Sequence, residues 1–299
     1  LGGARSKLHE ATLFRDRFKA LMEDGSVPKA RFDNAAAAFA VAEAEVKAAE
    51  KQLEKARKGA RIEEIEAMEA KIAGLKMCEA YNIRYGTDFI AVMPTNLYGP
   101  NDNFNLTGGH VMPSLMRRIH LGKLLENGDL GGIRADLHRR PVDGFDGSGK
   151  EEEILSLLEK QGIKSTAVLQ SGGPAVVQVG VWGTGKPLRE FMYSGDMADA
   201  TVYIMEKVSF RDLAPAGATE VRNTHINIGT GEEITIKDLS LLLKETTGFG
   251  GELVFDTAKP DGTPRKFLDS SKLHGLGFRH ATSLKDGAGK MYEWYLSSL

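Results

Sequence analysis

FIAVMPTNLYG (residues 89–99) is where the sequence changes character. Apolar residues crowd 89–93, and Pro94, Asn96 and Gly99 then supply turn chemistry, so the run reads as a short strand that ends in a loop. Everything before it reads as helix. Phe14, Phe18, Leu21 and Met22 recur at three- and four-residue steps until Gly25 and Pro28 interrupt them. From 33 to 56 the text is rich in Ala, Glu and Lys. There Ala42, Val46, Ala49, Leu53 and Ala56 step by 4, 3, 4 and 3, a narrow seam suited to packing against another helix. Gly59 is expected to be a weak point, after which Ile65, Met68, Ile72 and Leu75 resume the period. Residues 1–85 are therefore expected to be all-helical.

After residue 89 strands and helices alternate. Helices are predicted at 111–126, at 151–162 with Gly162 as the stop, at 196–208, at 236–248 with a terminal glycine, and over the last twenty residues. Strands are predicted at 175–182, 225–229 and 252–256, and a Gly/Asp-rich stretch fills 143–150. This alternation argues for an α/β organisation behind a helical leader.

The formal net charge of −2 gives no broad attraction to nucleic acid or anionic lipid, although a local basic pocket for a small anion is compatible with it. The single cysteine, Cys78, cannot form an internal disulfide, and a cytoplasmic setting is the simplest reading. No stretch approaches the ~20 apolar residues needed to span a bilayer. The start, LGGARSKLHE, has neither the apolar core of a signal peptide nor an initiator Met, which fits a trimmed chain, a fragment or an unusual start codon.

Few motifs carry chemistry by themselves. Gly2 and Gly3 precede a helix but follow no strand, so they do not form a dinucleotide-binding turn. GVWGTGKP at 180–187 has the spacing of a phosphate loop. But Pro187 stands where a hydroxyl should bind Mg²⁺ and offers no N–H, so a strand-to-loop corner is the better reading. His110, in GGHVMP before an apolar helix, is either a solvated loop histidine or a proton carrier near neutrality. No other histidine shows metal-ligand spacing, and no metal is expected. Arg118, Arg189 and Arg265 are either plain surface charge or a grip for a diphosphate. Trp182 either stacks on a base or fills a core.

Five stretches together resemble the GDP-L-fucose synthases, extended members of the short-chain dehydrogenase/reductase group. They are AKIAGLKMCEAYNIRYGTDF at 70–89, VMPTNLYGPNDNF at 92–104, VWGTGKPLREF at 181–191, HINIGTGEEITIKDL at 225–239 and FDTAKPDGTPRKFLD at 255–269. The resemblance covers 70–299, with 121–180 as an insertion carried by one branch, and leaves 1–69 as an unrelated helical segment. It implies the C-terminal part of such an enzyme: a partial Rossmann sheet plus a small substrate domain.

The resemblance also implies an NADP-dependent conversion of GDP-4-keto-6-deoxy-D-mannose to GDP-L-fucose by two epimerisations and a hydride transfer. Lys71 matches the lysine of the family's catalytic Tyr-x-x-x-Lys helix, and Ala67 occupies the tyrosine position. Pro94, Thr95, Asn96 and Leu97 match a cofactor-contacting stretch. His110 matches the acid/base of the epimerisations and also adjoins the cofactor. Arg118, Trp182, Arg189 and Asp261 match positions that hold the GDP-sugar. The family's glycine turn, catalytic serine and histidine-partnering cysteine have no counterpart here, and Cys78 matches a non-catalytic position. Tyr81 and Tyr85 cannot replace the phenol, since ten residues of helix span about 15 Å.

Two outcomes follow from this pattern. One is a homologue with impaired activity, its cofactor half replaced or supplied by another chain. The other is a non-catalytic nucleotide-sugar-binding or chimeric scaffold protein. A homodimer through the helix that contains Lys71 is a further expectation of the resemblance.

Overall fold

The computed structural model describes the backbone of residues 2–166, 176–214, 221 and 223–299. Side chains are described within those ranges except at 2–5, 48, 49, 51–65, 67 and 166. The chain divides into two compact units, Leu1–Met77 and Cys78–Leu299, with the boundary inside a helix.

The first unit is a helical hairpin. Helix α1 (Gly2–Glu23) ends in a turn where Gly25 takes φ 78° and the Asp24 carboxylate accepts the Ser26 N–H at 2.9 Å. Pro28 then precedes α2 (Lys29–Tyr85). Ala35, Ala42 and Val46 are the buried apolar contacts of the described side chains, and the Arg15 guanidinium lies 4.1 Å above the Phe39 ring. The expected weak point at Gly59 is not a break: α2 runs unbroken through it. One glycine costs a helix interior only about 1 kcal/mol, which the flanking Ala, Glu, Lys and Arg residues offset. The seam positions Ala49, Leu53 and Ala56, and the side chain of Ala67, lie outside the described residues.

In the second unit the 89–99 run forms two strands, β1 (Val92–Pro94) and β2 (Asn96–Tyr98), which join different sheets. Helices α3 (Val111–Glu126), α4 (Leu130–Arg139) and α5 (Glu151–Lys160) follow. Then come β3 (Ile163–Thr166), β4 (Val176–Trp182), β5 (Leu188–Tyr193), α6 (Ser194–Lys207) and α7 (Phe210–Leu213). The remainder is β6 (Ile226–Ile228), β7 (Glu233–Thr235), α8 (Ile236–Thr247), β8 (Glu252–Asp256), β9 (Arg265–Lys266), α9 (Ser271–Gly275) and α10 (Leu284–Ser297).

Three small sheets result. β1 and β6 pair in parallel, Val92 opposite Ile226. β5 takes β2 in parallel on one side and both β7, antiparallel, and β9, parallel, at its start. β4 lies between antiparallel β3 and parallel β8. The larger core packs α3, α8 and α10 against β4, whose Val177, Val179 and Val181 alternate inward as a half-buried strand requires. A smaller core joins α6 and α9 to β6 through Ala200, Ile204, Leu273, Ile226 and Ile228, with Val92 and Leu97 packed on it. No helix of the described residues is long and apolar enough to cross a membrane.

His120 on α3 carries a pH signature. It is buried, its Nδ1 lies 2.9 Å from the Tyr292 hydroxyl, and burial pushes its pKa down to about 4 against the opposing pull of Asp136. Lys123 and Arg117 push the same way as burial, and Asp129 opposes them. The unfolded chain takes up this proton first as pH falls, so stability is full above about 6.5 and lost towards 4. Urea denaturation should show roughly 2 kcal/mol lost to this group between pH 7 and 5. His120→Gln should remove that part of the slope; an unchanged slope would contradict the assignment.

Candidate functional site

The site grows from three local structures. The first is the end of β4. Trp182, the last residue of β4, falls on the strand's outward face, out of phase with the buried Val177, Val179 and Val181, and is 59% exposed, and the chain then turns through Gly183 (φ 83°) and Gly185 (φ 75°) into β5. The 180–187 stretch is thus a strand-to-strand corner, with no helix N-terminus to receive a phosphate. Asp261 locks this corner. Its carboxylate accepts the Thr184 hydroxyl at 2.7 Å and the Thr184 N–H at 2.8 Å, and these two bonds hold its pKa below the ordinary aspartate value. Beside it, Arg189 on β5 donates from Nη1 to the carbonyls of Leu188 and Thr263, both at 2.7 Å, tying the 261–264 strap to the sheet.

The second is α3. Consecutive arginines on this helix both clamp the preceding loop. Arg117 Nη1 donates to the Phe104 carbonyl at 3.3 Å, and Arg118 Nη2 to the Leu106 carbonyl at 2.6 Å. Arg118 is only 9% exposed, its guanidinium carbon lies 5.5 Å from the Trp182 ring, and its buried Nε has no protein partner. Burial lowers its pKa, the mark of a poorly solvated cation. Arg118 and Trp182 line a cleft of about 170 Å³ together with Leu106, Ser114 and the two neighbours of His110, Gly109 and Val111. His110 is the N-cap residue of the same helix, and its Nδ1 sits 2.9 Å from Asp102 Oδ1. With Nδ1–H donating to the carboxylate, Nε2 is left to exchange protons.

The third is the β1–β2 segment. The Thr95 N–H donates to the Ile228 carbonyl at 2.9 Å, and the Thr95 hydroxyl and Asn96 Nδ2 both donate to the Glu190 carbonyl, at 3.3 and 2.7 Å. Pro94 and Leu97 flank them on the strands. Lys71 is exposed on α2 in the first unit.

So Arg118, Trp182, Arg189 and Asp261 gather around one corner, with His110 at the head of the helix that supplies Arg118. Pro94 ends β1, which pairs with β6, Asn96 and Leu97 stand on β2, which pairs with β5, and Lys71 belongs to the other unit. Sequence reasoning missed Lys259, whose ammonium lies 5.6 Å from the centre of the Trp182 ring, although it stands in the quoted KPDGTP. It also missed Asp102, eight residues before His110 in PNDNF, and Thr184, the anchor of Asp261.

Among the described residues no strand–glycine turn–helix unit lies beside β1 to take the pyrophosphate of a nicotinamide dinucleotide, and the Thr95 hydroxyl and one Asn96 amide N–H are taken up by the Glu190 carbonyl.

A sequence model of the NAD dependent epimerase/dehydratase family matches residues 67–139 and 159–229. Over 230 residues the chain is 40% identical to GDP-L-fucose synthase 1 of Arabidopsis thaliana, covering 77% of this chain and 52% of that protein. It is 38% identical to GDP-L-fucose synthase of Escherichia coli (strain K12), covering 77% and 55%. A crystal structure of a GDP-6-OMe-4-keto-L-xylo-heptose reductase from C. jejuni superposes with a TM-score of 0.65 at 43% identity, covering 77% of this chain and 60% of that one. GDP-mannoheptose C4 reductase from Campylobacter jejuni, solved with NADP bound, superposes at 0.62 with 42% identity, covering 76% and 58%. The chain spans about half the length of the curated relatives it matches. The part of the chain that carries this site belongs to the NAD dependent epimerase/dehydratase family, and within it resembles the GDP-L-fucose synthases.

Proposed function

We propose that this chain binds a GDP-sugar of the kind handled by GDP-L-fucose synthases and does not by itself complete the reductive step. One observation carries the reading: a buried, incompletely partnered Arg118 guanidinium faces a cleft beside an exposed Trp182. A planar cation in such a place gains most from a phosphate oxygen, and the indole offers a face to a base or sugar ring. His110, oriented by Asp102, lies between two residues that line the same cleft, Gly109 and Val111, and is the group to move a proton at the sugar carbons. The enzyme class uses a nicotinamide to supply hydride. Here the phenol position is Ala67, whose methyl cannot donate the proton that must accompany that hydride, and general acid catalysis is typically worth about 10²–10⁴-fold.

A non-catalytic binding protein is the second reading, favoured by the helical hairpin that stands in front of the family region. Calorimetry with GDP-L-fucose and with NADPH, together with an NADPH-oxidation assay on the keto-sugar, tests both. Binding of GDP-L-fucose without NADPH oxidation is the expected result. Turnover would overturn the reductive deficit, and failure to bind GDP-L-fucose would overturn the site. Binding of the sugar nucleotide with no response to NADPH at all would favour the second reading.

A further inference from the structure

Two cations share the Trp182 ring. The Arg118 guanidinium carbon lies 5.5 Å from its centre and the Lys259 ammonium 5.6 Å, both within cation–π range. They come from different parts of the fold: Arg118 stands on α3, and Lys259 on the segment that leaves β8. Local geometry puts Lys259 there. β4 and β8 pair in parallel with Trp182 opposite Asp256, so the two strands end at the same level. The Asp256 carbonyl then accepts the N–H groups of Gly183 at 3.0 Å and Lys259 at 3.1 Å, and its carboxylate accepts the Ala258 N–H at 3.1 Å. These bonds close a turn that sets Lys259 beside the indole.

Among the described residues neither cation has a carboxylate partner. The acids of the same segment are engaged elsewhere, Asp256 with Ala258 and Asp261 with the Thr184 hydroxyl and N–H. The cleft beside Arg118 measures about 170 Å³, whereas ligand sites commonly start at about 300 Å³. A GDP-sugar seated there by its sugar, next to His110, and by one phosphate must continue outside it. The open way leads over Trp182, which lines the cleft and is exposed. Lys259 stands on that way, and an ammonium on a flexible stem can meet a phosphate oxygen without a fixed docking angle.

We propose that Lys259 is a further ligand-contact residue: it meets the phosphate nearer the nucleoside, while Arg118 holds the one nearer the sugar, and together they favour a diphosphate over a monophosphate. The inference rests on the GDP-sugar reading of the cleft.

Calorimetric titration of the full chain tests it. Lys259→Gln should weaken GDP-L-fucose by about tenfold at low salt, the loss of one charge-assisted hydrogen bond. Lys259→Arg should keep most of the affinity. The side chain is exposed, so folding by circular dichroism should hold. Lys186→Gln removes an exposed cation whose charge acts on Asp261 at the same corner, and should stay within about twofold of wild type. In 1 M NaCl the gap between wild type and Lys259→Gln should close, because salt screens an exposed charge but does not repair a packing defect. GMP, which carries only the nucleoside-side phosphate, should lose as much from Lys259→Gln and little from Arg118→Ala. GDP-L-fucose binding that ignores Lys259→Gln, an equal loss from Lys186→Gln, a gap that persists in high salt, or GMP binding that depends on Arg118 and not on Lys259 would each overturn the proposal while leaving the cleft in place. Failure of the wild type to bind GDP-L-fucose would overturn the reading beneath it.

Discussion

Arg118→Ala should weaken binding of GDP-L-fucose by about a hundredfold or more, the loss of two charge-assisted hydrogen bonds at roughly 1.5 kcal/mol or more each. The guanidinium is already desolvated, with Nη2 spent on the Leu106 carbonyl and Nε unpartnered. An incoming phosphate therefore meets a cation that has little water to shed. Lysine at this position keeps the charge but loses the planar fork, so Arg118→Lys should recover only part of the affinity. The measurement is a calorimetric titration of each variant, with circular dichroism as a check on folding. A change of less than about threefold for Arg118→Ala would remove the residue from the site, since even one such bond is worth more than that.

Asp136→Ala should cost the second unit about 3–5 kcal/mol, because it strands a buried charge. Asp136 is 0% exposed and Arg117 1% exposed. The carboxylate takes Arg117 Nε at 2.9 Å and Nη2 at 2.7 Å and also accepts the Tyr295 hydroxyl, whose pKa burial raises well above that of a free phenol. Arg117 also donates to the Arg140 and Phe104 carbonyls, so the network joins α3, α4, α10 and the loop that holds Asp102. Urea denaturation followed by Trp294 fluorescence reports on it directly, since that indole stacks on Phe104 at 5.9 Å. Replacing all three partners at once, by Arg117→Met, Asp136→Leu and Tyr295→Phe, should restore most of the loss, because the penalty comes from the unpaired ion and not from the missing pair. If the triple variant is as unstable as Asp136→Ala, packing and not charge sets the cost.

Periodicity made the helices readable. The break at Gly25 and Pro28, the span of α3, the glycine end of α8 and the strand at 252–256 all stand where local spacing and turn chemistry put them. Elements without such a period were not readable. LGGIRADLHR, with two glycines in its first turn, forms α4 because Asp129 caps it through the Gly132 N–H and Ile133 and Leu137 find the core. LREFMY becomes β5 because four partners supply its ladder and surroundings: β2, β7, β9 and the helix α10. The single run at 89–99 divides at Thr95 because its N–H bonds across to Ile228 while Asn96 begins pairing with Phe191 on β5. Apart from the local Asp129 cap, none of these contacts lies within reach of the local sequence.

The sequence by itself determined the α/β character of the chain from 89 onward, through composition and spacing, which a side chain carries wherever it is placed; its resemblance to a known family singled out the residues proposed to hold a GDP-sugar and the alanine at that family's phenol position. Tertiary structure alone decided that Arg118 is buried and short of partners, that Lys259 shares the Trp182 ring with it, that Asp102 orients His110, and that Asp261 faces Thr184. Burial, hydrogen bonding and charge proximity are set by segments far apart in the chain, 77 residues for Thr184 and Asp261 and 172 for His120 and Tyr292, and only the folded chain brings them within bonding distance.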